Sequence, residues 1–131
     1  MTASDQELLE AAKSARGNAY CRYSGFHVGA ALIDDLGKMH VGCNVENAAY
    51  PEGTCAEANA IGAMIAAGGR TIVTIVVAGG RKDIEFCTPC GGCRQKIAEF
   101  ANQDTRILIA RNNDDVDTYS MDQLLPESFH L

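Results

Sequence analysis

The run TIVTIVVA, Thr71 to Ala78, is β-branched at nearly every position. A strand with one wet face alternates apolar and polar residues, whereas a continuous apolar run marks a strand covered on both faces. This stretch is therefore predicted to lie centrally in a sheet, with a further layer on either side. Leu8, Leu9, Ala11, Ala12 and Ala15 recur at helical spacing behind Ser4-Asp5-Gln6-Glu7, which reads as a capping box, so a first helix is predicted over about 5–17. Phe26 to Ile33 and Met39 to Val45 read as two strands joined by a glycine-containing turn at Asp34-Asp35-Leu36-Gly37-Lys38.

Pro51-Glu52-Gly53 breaks the chain before a second helix, about 55–67, whose start carries another capping box in Thr54 and Glu57. Thr88 and Pro89 read as an N-cap and first-turn proline ahead of a third helix, about 90–101. Arg106 to Arg111 is a further strand, Asn112 to Asp115 a turn before a fifth strand, and Ser120 to Leu125 a short helix. The order predicts an α/β fold: a single three-layer domain over residues 1–131, a mixed five-stranded sheet with helices on both faces, and strand-helix-strand crossovers making the later strands parallel.

A chain of 131 residues, 47% of them hydrophobic, has the apolar content of one domain burying roughly two thirds of its unfolded surface. Its formal net charge of −6 opposes the counterion release that drives binding to phosphate backbones, which argues against nucleic-acid polymers and anionic membranes as partners. The longest apolar stretch, around Ile72 to Ala78, falls far short of the ~20 residues that span a bilayer. The N-terminal MTASDQELLE has no basic region followed by an apolar run. A cytoplasmic protein is expected, with its six cysteines kept as thiols.

Thiols raise the question of ligation. Cys90-Gly91-Gly92-Cys93 opens the third predicted helix, and the i, i+3 spacing brings both sulfurs to one face of its first turn. Alone, the pair reads equally as a redox couple, two buried small residues or part of a metal site. Cys55 lies at a second predicted helix N-terminus, so two such termini facing each other would converge three sulfurs on one ion. The partial positive charge at each terminus favours thiolates. Three thiolates suit zinc in a tetrahedral site with one open position, a catalytic rather than structural arrangement.

Cys87 keeps an alternative open, since CTPCGGC also reads as CxxCxxC and could supply a fourth zinc thiolate or part of an iron-sulfur ligand set. Pro89 separates Cys87 from the helix, and Phe86-Cys87 reads as the end of an extended segment, so Cys87 is assigned to the core. Cys21 and Cys43 have no spacing partner and read as buried or bystander thiols.

Cys55-Ala56-Glu57, followed by Pro89, Cys90 and Cys93, resembles the zinc deaminase signature, in which the acid is not a ligand. YSGFHVGAAL (Tyr23 to Leu32), GCNVENAAYPEGTCAE (Gly42 to Glu57), PCGGCRQ (Pro89 to Gln95) and LLPESF (Leu124 to Phe129) extend the likeness along almost the whole chain. In that order and at those intervals they resemble the small cytidine deaminases.

The resemblance implies a zinc-dependent hydrolase of pyrimidine salvage that converts cytidine and deoxycytidine to uridine and deoxyuridine plus ammonia. It implies one Zn²⁺ per subunit on Cys55, Cys90 and Cys93, with Glu57 as the proton carrier between water, N3 of the base and the departing ammonia. It implies Asn44 and Glu46 as partners of the ribose, Phe26 against the base, and the backbone around Ala56 at the pyrimidine edge. Members are typically homotetramers, and Ala48, Tyr50 and Phe129 match positions that reach a neighbouring subunit's site. Relatives commonly have arginine directly after the glutamate, where Ala58 stands here. Three thiolates on Zn²⁺ leave a formal negative charge, which makes zinc's water less acidic unless positive charge lies nearby. Arg94, beside Cys93, and the two helix N-termini are the candidates.

Two other readings remain. One is deamination of another aminopyrimidine compound such as blasticidin S, against which NVEN (Asn44 to Asn47) argues for a nucleoside sugar. The other is a closed structural zinc module of Cys55, Cys87, Cys90 and Cys93, with Glu57 only a helix cap. Polynucleotide editing is disfavoured by net charge and by the lack of basic patches interleaved with aromatics.

Overall fold

The β-branched run forms β3 (Ile72–Gly80), which is buried along nearly its whole length. It takes the middle place in a five-stranded sheet with β1 (His27–Asp34), β2 (Met39–Cys43), β4 (Arg106–Ala110) and β5 (Val116–Tyr119), in the order β2-β1-β3-β4-β5. Four helices accompany the strands: α1 (Ala3–Arg16), α2 (Ala56–Ala66), α3 (Gly91–Phe100) and the short α4 (Met121–Leu124). These elements come from a computed structural model that describes residues 1–131, apart from the side chain of residue 3.

β3 and β4 are parallel and every other neighbouring pair is antiparallel. The crossover through α3 makes β4 parallel to β3, as the order of elements predicts. β5 instead returns beside β4 after a tight turn, closed by Arg111 N–H donating to Asp115 O at 2.8 Å, and so reverses direction.

Alternation along the central strands builds the three layers. Ile75 and Val77 pack with Ala60, Met64 and Ile97 on one face of the sheet, the face covered by α2 and α3. Val76 and Ala78 pack with Leu8, Leu9 and Ala12 of α1 on the other. Each fully buried branched side chain is worth about 1.5–3 kcal/mol relative to exposure. Glycines bring two of the helices onto bare strand backbone. A β-carbon at Gly29 would collide with Ala12 O on α1, and one at Gly42 would lie 2.5 Å from both Ala56 O and Ala60 N on α2.

The helix starts differ from those expected. α1 is capped by Thr2 and Asp5 rather than Ser4 and Glu7, with Thr2 Oγ1 accepting from Asp5 N–H and Asp5 Oδ2 from Thr2 N–H, both at 3.0 Å. That register turns Asp5 toward β4, where its carboxylate accepts from Arg106 Nη1 at 3.0 Å and Nη2 at 2.6 Å. α3 starts after Cys90 rather than Thr88, because the Thr88 hydroxyl is engaged by Arg94 Nη2 at 3.2 Å. Ser120 caps α4 through Gln123.

The Asp5–Arg106 pair ties α1 to the sheet. The Arg106 guanidinium, helped by Thr2 and opposed by burial, holds the Asp5 carboxyl at a pKa of about 2, below its ordinary 3.8. A depressed folded-state value contributes stability that is complete above the unfolded carboxylate range and is lost as pH falls through the folded value. The Arg106 side chain is 41% exposed, so solvent screening reduces the contribution to about 1–2 kcal/mol. Asp5→Asn is expected to lose that much at pH 7 and to show a flatter fall in stability between about pH 4 and pH 2. Urea unfolding across that window checks this; a wild-type slope in the variant would assign the acid sensitivity elsewhere.

Candidate metal centre and active site

α2 and α3 lie on the same face of the sheet and each begins with a cysteine. Cys55 is the N-cap of α2, Cys90 the N-cap of α3, and Cys93 falls within the first turn of α3. Neither N-cap sulfur makes a capping hydrogen bond, so both remain available for ligation. The Sγ atoms of Cys55, Cys90 and Cys93 lie within 4.8 Å of one another. Tetrahedral zinc with bonds of about 2.3 Å holds thiolates roughly 3.8 Å apart, so small side-chain adjustments complete the fit.

The electrostatics also fit a cation. Backbone N–H groups of Cys93 and Gly92 lower the Cys90 thiol pKa, as expected for a helix N-terminus. Burial pushes Cys55 up, and pushes Cys93 far up, reinforced by Glu57 and the neighbouring sulfurs. The helix-terminus effect therefore prevails at Cys90 alone, because the other two sulfurs are desolvated and crowded by like charge. Three such thiols ionise together only beside a positive ion, and soft sulfur donors suit zinc.

Glu57 is 5% exposed, and burial raises its carboxyl pKa. A raised value moves a carboxyl toward the range in which it can both take and return a proton. The Thr54–Glu57 capping box does not form. α2 starts one residue later than the box requires, which puts Glu57 second in the helix, and Thr54 Oγ1 accepts instead from Asn59 Nδ2 at 3.0 Å. The Glu57 carboxylate is thus free of any capping duty.

A cleft of about 300 Å³ opens over the sulfurs and Glu57, in the size range of small-molecule sites. Asn44, Glu46, Tyr50 and Ala56 also line it. Asn44 Nδ2 donates to Phe26 O and its Oδ1 accepts from Val28 N–H, both at 2.8 Å, which clamps the start of β1. Glu46 accepts from the Ser24 hydroxyl and from the backbone N–H groups of Tyr23 and Ser24, and these bonds keep its carboxylate ionised. Carboxylate oxygens offer about four acceptor sites, so Glu46 retains capacity for a ligand hydroxyl. The intervening Val45 is locked to Thr54 by reciprocal backbone bonds of 2.9 Å.

Other expected residues sit elsewhere. Phe26, Ala48 and Phe129 are not among the lining residues, and the Phe26 ring lies 5.5 Å from the Arg81 guanidinium. Tyr50 and Phe129 are 77% and 68% exposed. Arg94 donates to Pro89 O at 2.8 Å and Leu124 O at 2.7 Å, besides Thr88, and so braces the loop before Cys90 against the end of α4.

Cys87 corrects the sequence reading. It is half-buried and lines the cleft with Thr88, rather than joining the core, with its sulfur seated on the bare Gly79 backbone at the end of the central strand. A β-carbon at Gly79 would lie 2.8 Å from Cys87 Sγ. Among the described residues, the cluster of converging ligand atoms contains three sulfurs and excludes that of Cys87. Burial pushes its pKa up to about 11, which keeps it a neutral thiol. The signal that could have placed it was the Gly79-Gly80 pair at the end of the central strand.

Residues 2–109 match the family described as the cytidine and deoxycytidylate deaminase zinc-binding region. The chain is 38% identical over 125 residues to a cytidine deaminase of Sporosarcina psychrophila, covering 95% of this chain and 90% of that protein. A blasticidin-S deaminase of Bacillus cereus is less similar, at 31% identity over 93% of this chain and 89% of its own. The crystal structure of cytidine deaminase from Burkholderia pseudomallei superposes with a TM-score of 0.86 at 41% identity, covering 98% of this chain and all of that one. With converging thiols, a buried acid and these likenesses together, the chain belongs to the cytidine and deoxycytidylate deaminase family.

Proposed function

We propose that this protein is a zinc-dependent cytidine deaminase that converts cytidine and deoxycytidine, with water, to uridine and deoxyuridine plus ammonia. The observation that carries the reading is the convergence of three cysteine sulfurs beside a buried glutamate in one cleft. Cys55, Cys90 and Cys93 hold the ion. Zinc, when bound, supplies Lewis acidity and makes water a nucleophile near neutral pH.

Glu57 carries the protons. Its carboxylate takes one from the attacking water and places it on N3 of the pyrimidine, then takes the second from the hydroxyl so added at C4 and passes it to the amino group that leaves as ammonia. Burial supports this, since a raised carboxyl pKa brings proton acceptance and return closer in energy. Asn44 and Glu46 orient the ribose through hydrogen bonds, and the backbone at Ala56 meets the pyrimidine edge. Phe26 packs against the base; its ring edge and the sulfur of Cys87, a cleft residue, both border Gly79.

The reading extends to a homotetramer, in which Ala48, Tyr50 and Phe129 of one subunit approach a neighbour's cleft. The high exposure of two large side chains, Tyr50 and Phe129, supports such burial. Cytoplasmic pyrimidine salvage is the setting we propose, acting on nucleosides rather than polymers, in keeping with the charge of −6. Among the described residues, no helix is long and apolar enough to cross a membrane.

Ammonia release from cytidine, deoxycytidine, free cytosine and blasticidin S tests the substrate class. Turnover of the two nucleosides is expected to exceed that of the other compounds by at least an order of magnitude, because a site hydrogen-bonding a sugar loses those bonds when the sugar is absent. Preferential turnover of blasticidin S would replace the nucleoside reading. Glu57→Gln is expected to fold and retain zinc, since glutamine matches the shape of glutamate, while kcat falls by about 10² to 10⁴ or more. Wild-type turnover in that variant would remove Glu57 from proton transfer. Cys87→Ser is expected to retain full zinc content by metal analysis, whereas loss of zinc would bring Cys87 into the ligand set.

A further inference from the structure

Zinc on Cys55, Cys90 and Cys93 carries a formal negative charge, and Glu57 beside it adds another when ionised. Low polarity at the buried side of this cluster makes uncompensated negative charge costly. Arg94, next to Cys93 in sequence, keeps its charge but directs its donors to the neutral acceptors Pro89 O, Leu124 O and the Thr88 hydroxyl rather than to a sulfur. We infer that Lys96 supplies the compensating charge, as a positioning residue for the zinc-thiolate group; this rests on the zinc reading above.

Side chains of a helix lean toward its N-terminus, so Lys96 on α3 extends back over Gly92. A β-carbon at Gly92 would lie 3.7 Å from Lys96 Nζ and 4.0 Å from Cys90 Sγ, so the ammonium and the sulfur flank one point in the first turn. Gly91 and Gly92 contribute no side chain to intervene. On α2, Ala58 and Gly62 line the surface groove shared with Lys96, and their small size leaves the lysine stem unobstructed.

A helix N-terminus carries partial positive charge and favours acids, yet the first turn of α3 has no acidic residue and lies under a lysine. That placement is favourable when thiolates occupy the same end. Zinc held by three thiolates would leave the centre with net negative charge, so a nearby cation strengthens its binding. Lys96 itself does not line the cleft.

Zinc affinity measured by chelator competition at pH 7, together with cytidine kinetics on zinc-loaded protein, tests this in Lys96→Gln, Lys96→Arg and Lys38→Gln. Lys38 lies in the hairpin turn between β1 and β2 and controls for the change in net charge. A solvent-screened unit charge near the sulfurs is expected to change affinity on the order of threefold to tenfold. Lys96→Gln is expected to weaken zinc binding by that factor and to lower kcat with little change in KM, while Lys96→Arg and Lys38→Gln remain close to wild type. Wild-type zinc affinity in Lys96→Gln, or an equal loss in Lys38→Gln, would overturn the assignment. A wild-type protein that bound no zinc would instead overturn the zinc reading on which it rests.

Discussion

The direct seating of α2 on the backbone of β2 at Gly42 is the constraint from which the site follows. With no side chain at that point, the first and second turns of the helix rest against the strand, and the position of Ala56 is fixed by contact. Cys55 and Glu57, on either side of Ala56, inherit that position. α2 leads into β3 and α3 leads out of it toward β4, so both helices run antiparallel to two parallel strands. Their N-termini consequently meet at the carboxyl edge of the sheet, where open α/β folds form crevices.

The sulfurs that converge there ionise together only beside a cation. Burial and mutual repulsion raise Cys55 and Cys93, while backbone N–H groups lower Cys90. The ligand set thus combines one sulfur prepared by a helix terminus with two that depend on the ion. Glu57 belongs to the same balance. Because Thr54 bonds Asn59, the carboxyl has no structural partner in a capping box and is left buried beside the sulfurs. Asn44 and Glu46, which also line the cleft, differ in kind, being already held by backbone groups of β1 and the preceding loop.

Much of this was legible in the chain. The β-branched Thr71 to Ala78 run identified the central strand, since burial on both faces leaves no place for polar residues. The spacing of Cys90 and Cys93 and the position of Cys55 before a helix pointed to three thiols that the fold does bring together. The capping signals were less reliable, as Ser4, Thr54 and Thr88 all have suitable side chains and none is the N-cap of the helix it was expected to start. Tertiary partners decided between neighbouring registers, with Arg106 drawing on Asp5 and Arg94 on Thr88. Cys87 was misplaced for a related reason: its seat on the Gly79 backbone beside the cleft is a contact outside its own segment.

The sequence by itself determined the elements, the layers and the identity of the converging chemistry, because hydrophobic period, β-branching and cysteine spacing act over a few residues. The tertiary structure alone decided which groups share an environment. It separated Cys87 from the three converging sulfurs and turned Arg94 to the Leu124 carbonyl. Burial and charge proximity are properties of the packed chain, and they arise only when segments far apart in sequence exclude water from the same volume.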